Sequence, residues 1–292
     1  MKTVKYFFEF LIVISLFCVF KILGIKNASN VGSIIGKLFG PFFRSKVLVK
    51  KNIKIALGDI DEEKQKKIIM GMWSNIGRTF AEYIFLKDFR LNKVKSGHIK
   101  IIGTAYLEQI KKFGRPVIFY SGHFANFELM AMELDKAGIK TAAIYRPLNN
   151  FFLNPLMEYL RMKYICPAQI PKGRIGMREI IGKIRDGYSV ALMMDQRVSE
   201  GKKISFFNKP AFTTTIPAQL ALKYDCELVP IFLERKNNVN FEMTIQKPYK
   251  IEKTGNDEQD TKNIILKINQ NIEKMIILKP SQWIWSHNRW KQ

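Results

Sequence analysis

Two side chains in this chain have the types and spacing of an acid–base pair. They are His123 and Glu128, in the run Ser121-Gly-His-Phe-Ala-Asn-Phe-Glu128. A hydroxyl is a poor nucleophile at neutral pH, and an imidazole can take its proton if a carboxylate holds one ring nitrogen and the other stays free. Five residues on one continuous helix would set the two side chains about 140° apart. Contact therefore requires His123 to precede the helix and Glu128 to lie in its first turn, where the chain curls back and the carboxylate meets one imidazole nitrogen. The helix N-terminus would favour Glu128 as an anion and a neutral His123. The same spacing also fits a turn histidine bonded to backbone beside a solvated first-turn acid.

The flanking residues supply the required strand, turn and helix. Val117-Ile-Phe-Tyr120, between Pro116 and Ser121-Gly122, reads as a buried strand. Phe127, Met130, Ala131 and Leu134 then recur at helical spacing, with Asn126 as N-cap and Gly138 just past the C-terminus. Downstream and upstream the pattern alternates: strands at 99–102, 141–145, 189–194, 227–233 and 241–247, and helices at 104–112, 155–163, 176–185, 214–224 and 259–276. The expected fold is α/β, a mixed, largely parallel central sheet covered by helices, with an N-terminal membrane-anchoring helix. In such sheets sites gather where strands end. One strand ends in Tyr145-Arg146-Pro147 and another in Asp195-Gln196-Arg197, while Asn154-Pro155 launches a helix that carries Arg161. If the sheet is parallel, these ends share an edge with His123.

Composition narrows the class. The 292 residues, 47% of them hydrophobic, suffice for one sizeable core, and a formal charge of +23 predicts attraction to anionic partners. Cys18, Cys166 and Cys226 form no Cys-x-x-Cys pair, and the three histidines form no His-Glu-x-x-His site. Neither a disulfide framework nor a metal site is expected, and no cofactor. Residues 1–25 are strongly apolar after Lys2 and Lys5, interrupted by Glu9 and Lys21, and offer only a poor cleavage site. An uncleaved anchor over 1–27 and a catalytic domain over 28–292 follow. Basic-aromatic stretches at 42–54 and 283–291 are expected at a headgroup layer. Gly32-Ser-Ile-Ile-Gly36-Lys37-Leu38 mimics a phosphate loop but is one residue short and lacks the Ser/Thr. A helical segment should run from Asp59 to about Leu86, with Asp61, Glu62 and Glu63 near its start.

His123-Phe-Ala-Asn-Phe-Glu128 resembles the His-x4-Asp/Glu signature of the glycerolipid acyltransferase superfamily, in the variant of the late lipid A acyltransferases, the lauroyl and myristoyl transferases. Further blocks are similar to that family in its order: Tyr145-Arg146-Pro147 with Asn154-Pro155 and Arg161, Gly173-Arg174-Ile-Gly, Asp195-Gln196, Phe206-Phe207-Asn-Lys-Pro-Ala-Phe-Thr213, and Trp283-Ile-Trp-Ser-His-Asn-Arg-Trp290-Lys. The likeness spans essentially the whole chain. Phe127 stands where Trp is common, Ala125 and Asn208 where Gly is common. The resemblance implies acyl carrier protein as donor, and acceptance by the 3-hydroxyl of an acyl chain on a phosphorylated lipid A precursor. It also implies a place at the inner membrane with the catalytic domain on the cytoplasmic face, near anionic lipid and without nucleic acid. His123 would be the base and Glu128 its orienting acid; Arg146, Arg161, Arg174, Asp195 and Gln196 would bind substrate or the developing oxyanion. A phospholipid or other glycolipid O-acyltransferase shares these features. A basic membrane-binding module explains the charge but has no use for His123 and Glu128, and a serine hydrolase lacks its Gly-x-Ser-x-Gly elbow.

Overall fold

The computed structural model describes residues 2–93 and 98–291. In chain order the helices and strands are α1 (Lys2–Phe43), α2 (Lys46–Leu57), α3 (Glu62–Glu82), α4 (Leu86–Arg90), β1 (Ile99–Ile102), α5 (Thr104–Phe113), β2 (Val117–Ser121), α6 (Glu128–Lys136), β3 (Thr141–Tyr145), α7 (Asn154–Tyr164), β4 (Ala168–Pro171), α8 (Arg174–Arg185), β5 (Ser189–Met193), β6 (Lys202–Phe206), β7 (Lys209–Thr213), α9 (Ile216–Tyr224), β8 (Glu227–Asn237), β9 (Asn240–Ile245) and α10 (Asp257–Leu278). Seven strands form one sheet in the order β1-β9-β8-β2-β5-β3-β4, parallel at every pairing except the β8–β9 hairpin. The mixed, largely parallel sheet of the sequence reading is therefore present.

β2 lies at the centre of this sheet and is buried along its whole length. Ile118 and Tyr120 face one core, with α8, α9 and α10, while Val117 and Phe119 face the other, with α5 and α6. A strand covered on both faces needs apolar residues at every position, which is why the run shows no alternation. β4 and the separate β6–β7 hairpin were not expected from sequence. The hairpin turn uses Phe207 (φ 51°) and Asn208 (φ 56°), the two positive-φ residues of a type I′ turn. A phenylalanine at its first position hid the usual Asn-Gly signal.

Helix α1 extends well past the expected anchor, and only Gly24 (φ 73°) departs from helical geometry inside it. It is long and apolar enough to cross a membrane. Val4, Phe8, Ile12, Val19 and Ile22 are exposed, whereas Phe17 and Phe20 are buried and meet the ring of Phe80 on α3. Beyond Gly24 the glycine punctuation is a packing device rather than a loop. Gly32, Gly36 and Gly40 sit one turn apart against Gly77 and Trp73 of α3, so close that a Cβ on Gly32 would lie 2.4 Å from the Gly77 carbonyl oxygen. Asp61 caps α3 by accepting from the Lys64 N–H at 2.7 Å. Within 42–54, Phe42, Phe43 and Val47 are exposed, whereas Val49, Asn52 and Ile53 are buried.

The 283–291 stretch is a correction. Trp283, Trp285, Trp290 and Arg289 are all buried, with Trp283, Trp290 and Phe206 in one aromatic cluster. Arg289 donates to the Phe212 carbonyl and the Thr213 hydroxyl at 2.7 Å each, and Trp290 Nε1 donates to the Phe206 carbonyl. The tail is a wedge between the hairpin and the sheet, with its tryptophan rings packed inside and the Arg289 Nη1 and Nη2 and Trp290 Nε1 donors bonded internally. It does not present a headgroup-binding face.

Gly77→Ala has two opposed effects. Alanine favours a helix interior over glycine by about 0.8–1.0 kcal/mol, while overpacking costs about 1–3 kcal/mol. The new Cβ would lie 2.0 Å from the Gly32 carbonyl oxygen, which is backbone and cannot swing away. A net loss in chemical-denaturation stability is expected. Gly182→Ala in α8, where a Cβ meets nothing within 4 Å, is the control and should stabilise. A gain at Gly77 matching that at Gly182 would show that α1 is not seated on α3.

Candidate active site

The parallel strands β2, β5 and β3 deliver their C-terminal ends to one edge. There His123 follows β2, Asp195 and Gln196 follow β5, and Arg146 follows β3. The carboxylate that meets the imidazole is Asp195, not Glu128. His123 Nδ1 lies 2.7 Å from Asp195 Oδ1, and the His123 backbone N–H donates to Asp195 Oδ2 at 2.9 Å. Trp283 Nε1 donates to the same Oδ2 at 2.7 Å. A Cβ on Gly122 would lie 3.3 Å from the Asp195 carboxyl carbon and 2.7 Å from the Phe124 ring, so this position keeps the approach open.

Burial pulls the His123 pKa down, but the charge and hydrogen bond of Asp195, with a smaller contribution from Glu128, more than offset it, and the net shift is upward. The expected pull of the α6 N-terminus toward a neutral ring is thus outweighed. Burial alone would raise the Asp195 carboxyl. The His123 charge, its two hydrogen bonds and the Trp283 indole hold it down at about 2. An ionised Asp195 fixes the Nδ1–H tautomer and leaves Nε2 as the accepting nitrogen. Nε2 lies 3.5 Å from Gln196 Nε2, and the ring packs edge-on against Phe127.

Glu128 is turned to Arg161 instead. Its Oε1 accepts from Arg161 Nη2 at 2.5 Å and Nε at 3.1 Å. α6 begins at Glu128 itself, with Phe127 as its cap residue, and the carboxylate meets Arg161 on α7 rather than turning back along the loop. Asn126 does not cap the helix; its side chain points inward. Arg161 lies between the rings of Tyr83 and Tyr145, at 5.7 and 5.3 Å from their centroids. Its Nη1 is buried and has no hydrogen-bond partner among the described residues.

A cavity of about 410 Å³ opens at this edge. His123, Glu128, Arg146, Arg161, Gln196 and Arg197 line it together with Tyr145, Lys172 and His287, and Met130, Ala131, Ala143, Ile165, Ala191 and Leu192 supply apolar wall. Asp195 stands behind His123 rather than in the cavity, and Arg174 is exposed at the start of α8 outside its lining. His287, pushed down to about 4 by burial, accepts the Arg197 backbone N–H at 2.8 Å. Among the described residues no three His, Cys, Asp or Glu side chains converge as a metal-binding group.

A family model for bacterial lipid A biosynthesis acyltransferases matches residues 1–292. The chain belongs to this family. Its relatives include the lipid A biosynthesis lauroyltransferase of Escherichia coli (strain K12), 23% identical over 271 residues, covering 90% of this chain and 84% of that protein. The lipid A biosynthesis palmitoleoyltransferase of the same organism is 26% identical over 89% of this chain and 83% of that protein. A lipid A biosynthesis acyltransferase of Haemophilus influenzae (strain ATCC 51907 / DSM 11121 / KW20 / Rd) is 25% identical over 88% and 83%. Within this acyltransferase Trp283 and the two tyrosines flanking Arg161 are site-building residues that the sequence reading left without a role. Trp283 stood in a block already noted, but nothing in its neighbours says that its N–H reaches Asp195.

The geometry predicts the titration of His123 directly. In NMR of ring-labelled protein its midpoint should lie above the ordinary 6.5 of histidine. Asp195→Asn removes the attraction and leaves the burial, so the midpoint should fall below 6.5. A midpoint unmoved by Asp195→Asn would show that the two groups are not paired in solution.

Proposed function

We propose that this acyltransferase moves a fatty acyl chain from an acyl-carrier-protein thioester to the 3-hydroxyl of an acyl chain on a phosphorylated disaccharide lipid A precursor. The observation that carries the reading is the His123 ring, held at Nδ1 by Asp195 and met at Nε2 by a long 3.5 Å contact from Gln196, beside a cavity with apolar walls and a cationic rim. The acceptor hydroxyl gives its proton to Nε2 as its oxygen attacks the thioester carbonyl. The tetrahedral oxyanion then collapses, the carbon–sulfur bond breaks, and the leaving thiolate takes the proton back from Nε2. No acyl-enzyme forms. Arg161, with a buried and unpartnered Nη1, suits the developing oxyanion or a substrate phosphate. Glu128 holds that guanidinium in place rather than the imidazole. Arg146, Gln196 and Lys172 stand at the same cavity for the polar part of the acceptor, and Arg174 would act only on parts of a substrate that extend beyond it.

The same reading puts α1 in the inner membrane, the catalytic domain on the cytoplasmic face, and anionic lipid against the exposed 42–54 patch. The acidic carrier and the phosphorylated lipid would both be steered by the +23 surface.

His123→Ala is expected to cost on the order of 10²-fold or more in turnover with an acyl-carrier-protein donor and the lipid A precursor as acceptor. Glu128→Ala should also lose turnover, through Arg161, but leave the His123 titration near its wild-type midpoint. Both variants must keep wild-type melting. Rapid transfer by folded His123→Ala protein would overturn the mechanism. Product analysis showing phospholipid acylated in preference to the lipid A precursor would overturn the substrate assignment.

A further inference from the structure

Behind the loop that carries His123 lies a buried charged network that the reaction does not use. Glu82, at the end of α3, is fully buried. Its carboxylate takes four hydrogen bonds: Oε1 accepts from the Ser29 hydroxyl at 2.7 Å and Arg235 Nη1 at 2.5 Å, and Oε2 accepts from Arg235 Nη2 and Asn126 Nδ2 at 3.0 Å each. Arg235 is held in turn by Asn75 Oδ1 at 3.0 Å and the Asn238 carbonyl at 2.6 Å. Asn126 lies inside the motif, three residues after His123, and among the described residues Glu82 is its only side-chain hydrogen-bond partner, its Oδ1 being buried and unpaired. The neighbouring residue Tyr83 presents its ring to Arg161. One short stretch of chain therefore touches both halves of the site.

We propose that Glu82 is a positioning residue for acyl transfer: through Asn126 it fixes the loop that keeps His123 on Asp195, and through Ser29 it ties that loop to helix α1. The inference rests on the reading of His123 as the base. A buried carboxylate with four donors resists displacement, because moving any one donor leaves a charge short of a partner. The loop it grips has no regular backbone ladder of its own to hold it. A displacement of about 1 Å in a reacting group costs on the order of 10²-fold in rate.

The test compares Glu82→Gln, Asn126→Ala and the double variant in the full-length protein in detergent or vesicles, with His123→Ala as the floor. Asn126→Ala cuts the link from the loop side and leaves the Glu82–Arg235 pair intact, so it reports even if Glu82→Gln fails to fold. Each single variant should lower kcat by about 10-fold to 10²-fold with KM for the acceptor unchanged. Each should also bring the His123 titration midpoint down, as the ring moves away from Asp195 and Glu128, whose upward pull outweighs the opposing charge of Arg161. The double variant should be no worse than the more damaged single one. Wild-type kcat and His123 titration in folded Asn126→Ala protein, with His123→Ala inactive, would overturn the positioning role and leave the proposed reaction standing. A folded His123→Ala protein with wild-type turnover would overturn both.

Discussion

The structure of the site depends on where the buried Asp195 carboxylate finds its donors. Three of them come from two distant parts of the chain, the ring and backbone N–H of His123 and the indole of Trp283. An unpaired buried carboxylate costs several kcal/mol, so these groups must arrive together. Satisfying Asp195 thus fixes the end of β2 against the end of β5 and draws the C-terminal tail over both. The tail in turn seals the hairpin through Trp290 and Arg289. The imidazole is oriented as a consequence of that accounting, and only its Nε2 is left toward the cavity.

Glu128 and Arg161 form the second constraint, and it is of a different kind. A buried ion pair adds little net stability, since desolvation consumes most of its attraction. What it adds is orientation. The guanidinium is gripped through Nε and Nη2, flanked by two tyrosine rings, and left with a buried, unmatched Nη1. A buried donor held that way is well matched to an anion. The motif carboxylate therefore acts at one remove from the imidazole. His123 and Glu128 lie close in sequence, yet they serve neighbouring groups through different partners.

Much of the fold was legible because it rests on local pattern. The buried strand before His123, the arginine ending β3, the Asp-Gln end of β5 and the helix carrying Arg161 all announce themselves by composition and by turn residues. That they share an edge followed from the expectation of a parallel sheet. Strand order did not follow, and it is strand order that decides the pairing: β5 lies beside β2, which puts Asp195 within reach of His123 and frees Glu128 for α7. Two other features have the same root. Trp283, Trp285 and Arg289 look like a surface belt when their neighbours are unknown, and become a wedge once the hairpin is in place. Gly32 and Gly36 resemble a loop until Gly77 of α3 is set against them.

Ala125 shows how far the loop between His123 and Glu128 is shaped from outside. Its φ of 47° is left-handed, which costs an L-residue about 1–2 kcal/mol. Its carbonyl accepts from Asn75 Nδ2 at 3.1 Å and the Thr79 hydroxyl at 2.9 Å, and its N–H donates to the Gln282 carbonyl at 3.3 Å. At about 0.5–1.5 kcal/mol net for each bond, these three offset the local cost at Ala125. The family resemblance places glycine at this position commonly, and a left-handed backbone is the physical reason. Alanine is tolerated here because α3 and the tail hold its carbonyl and its N–H. Nothing within the six-residue motif could impose it. The motif therefore supplies the imidazole, while helices and tail far from it in sequence set the direction in which the ring points.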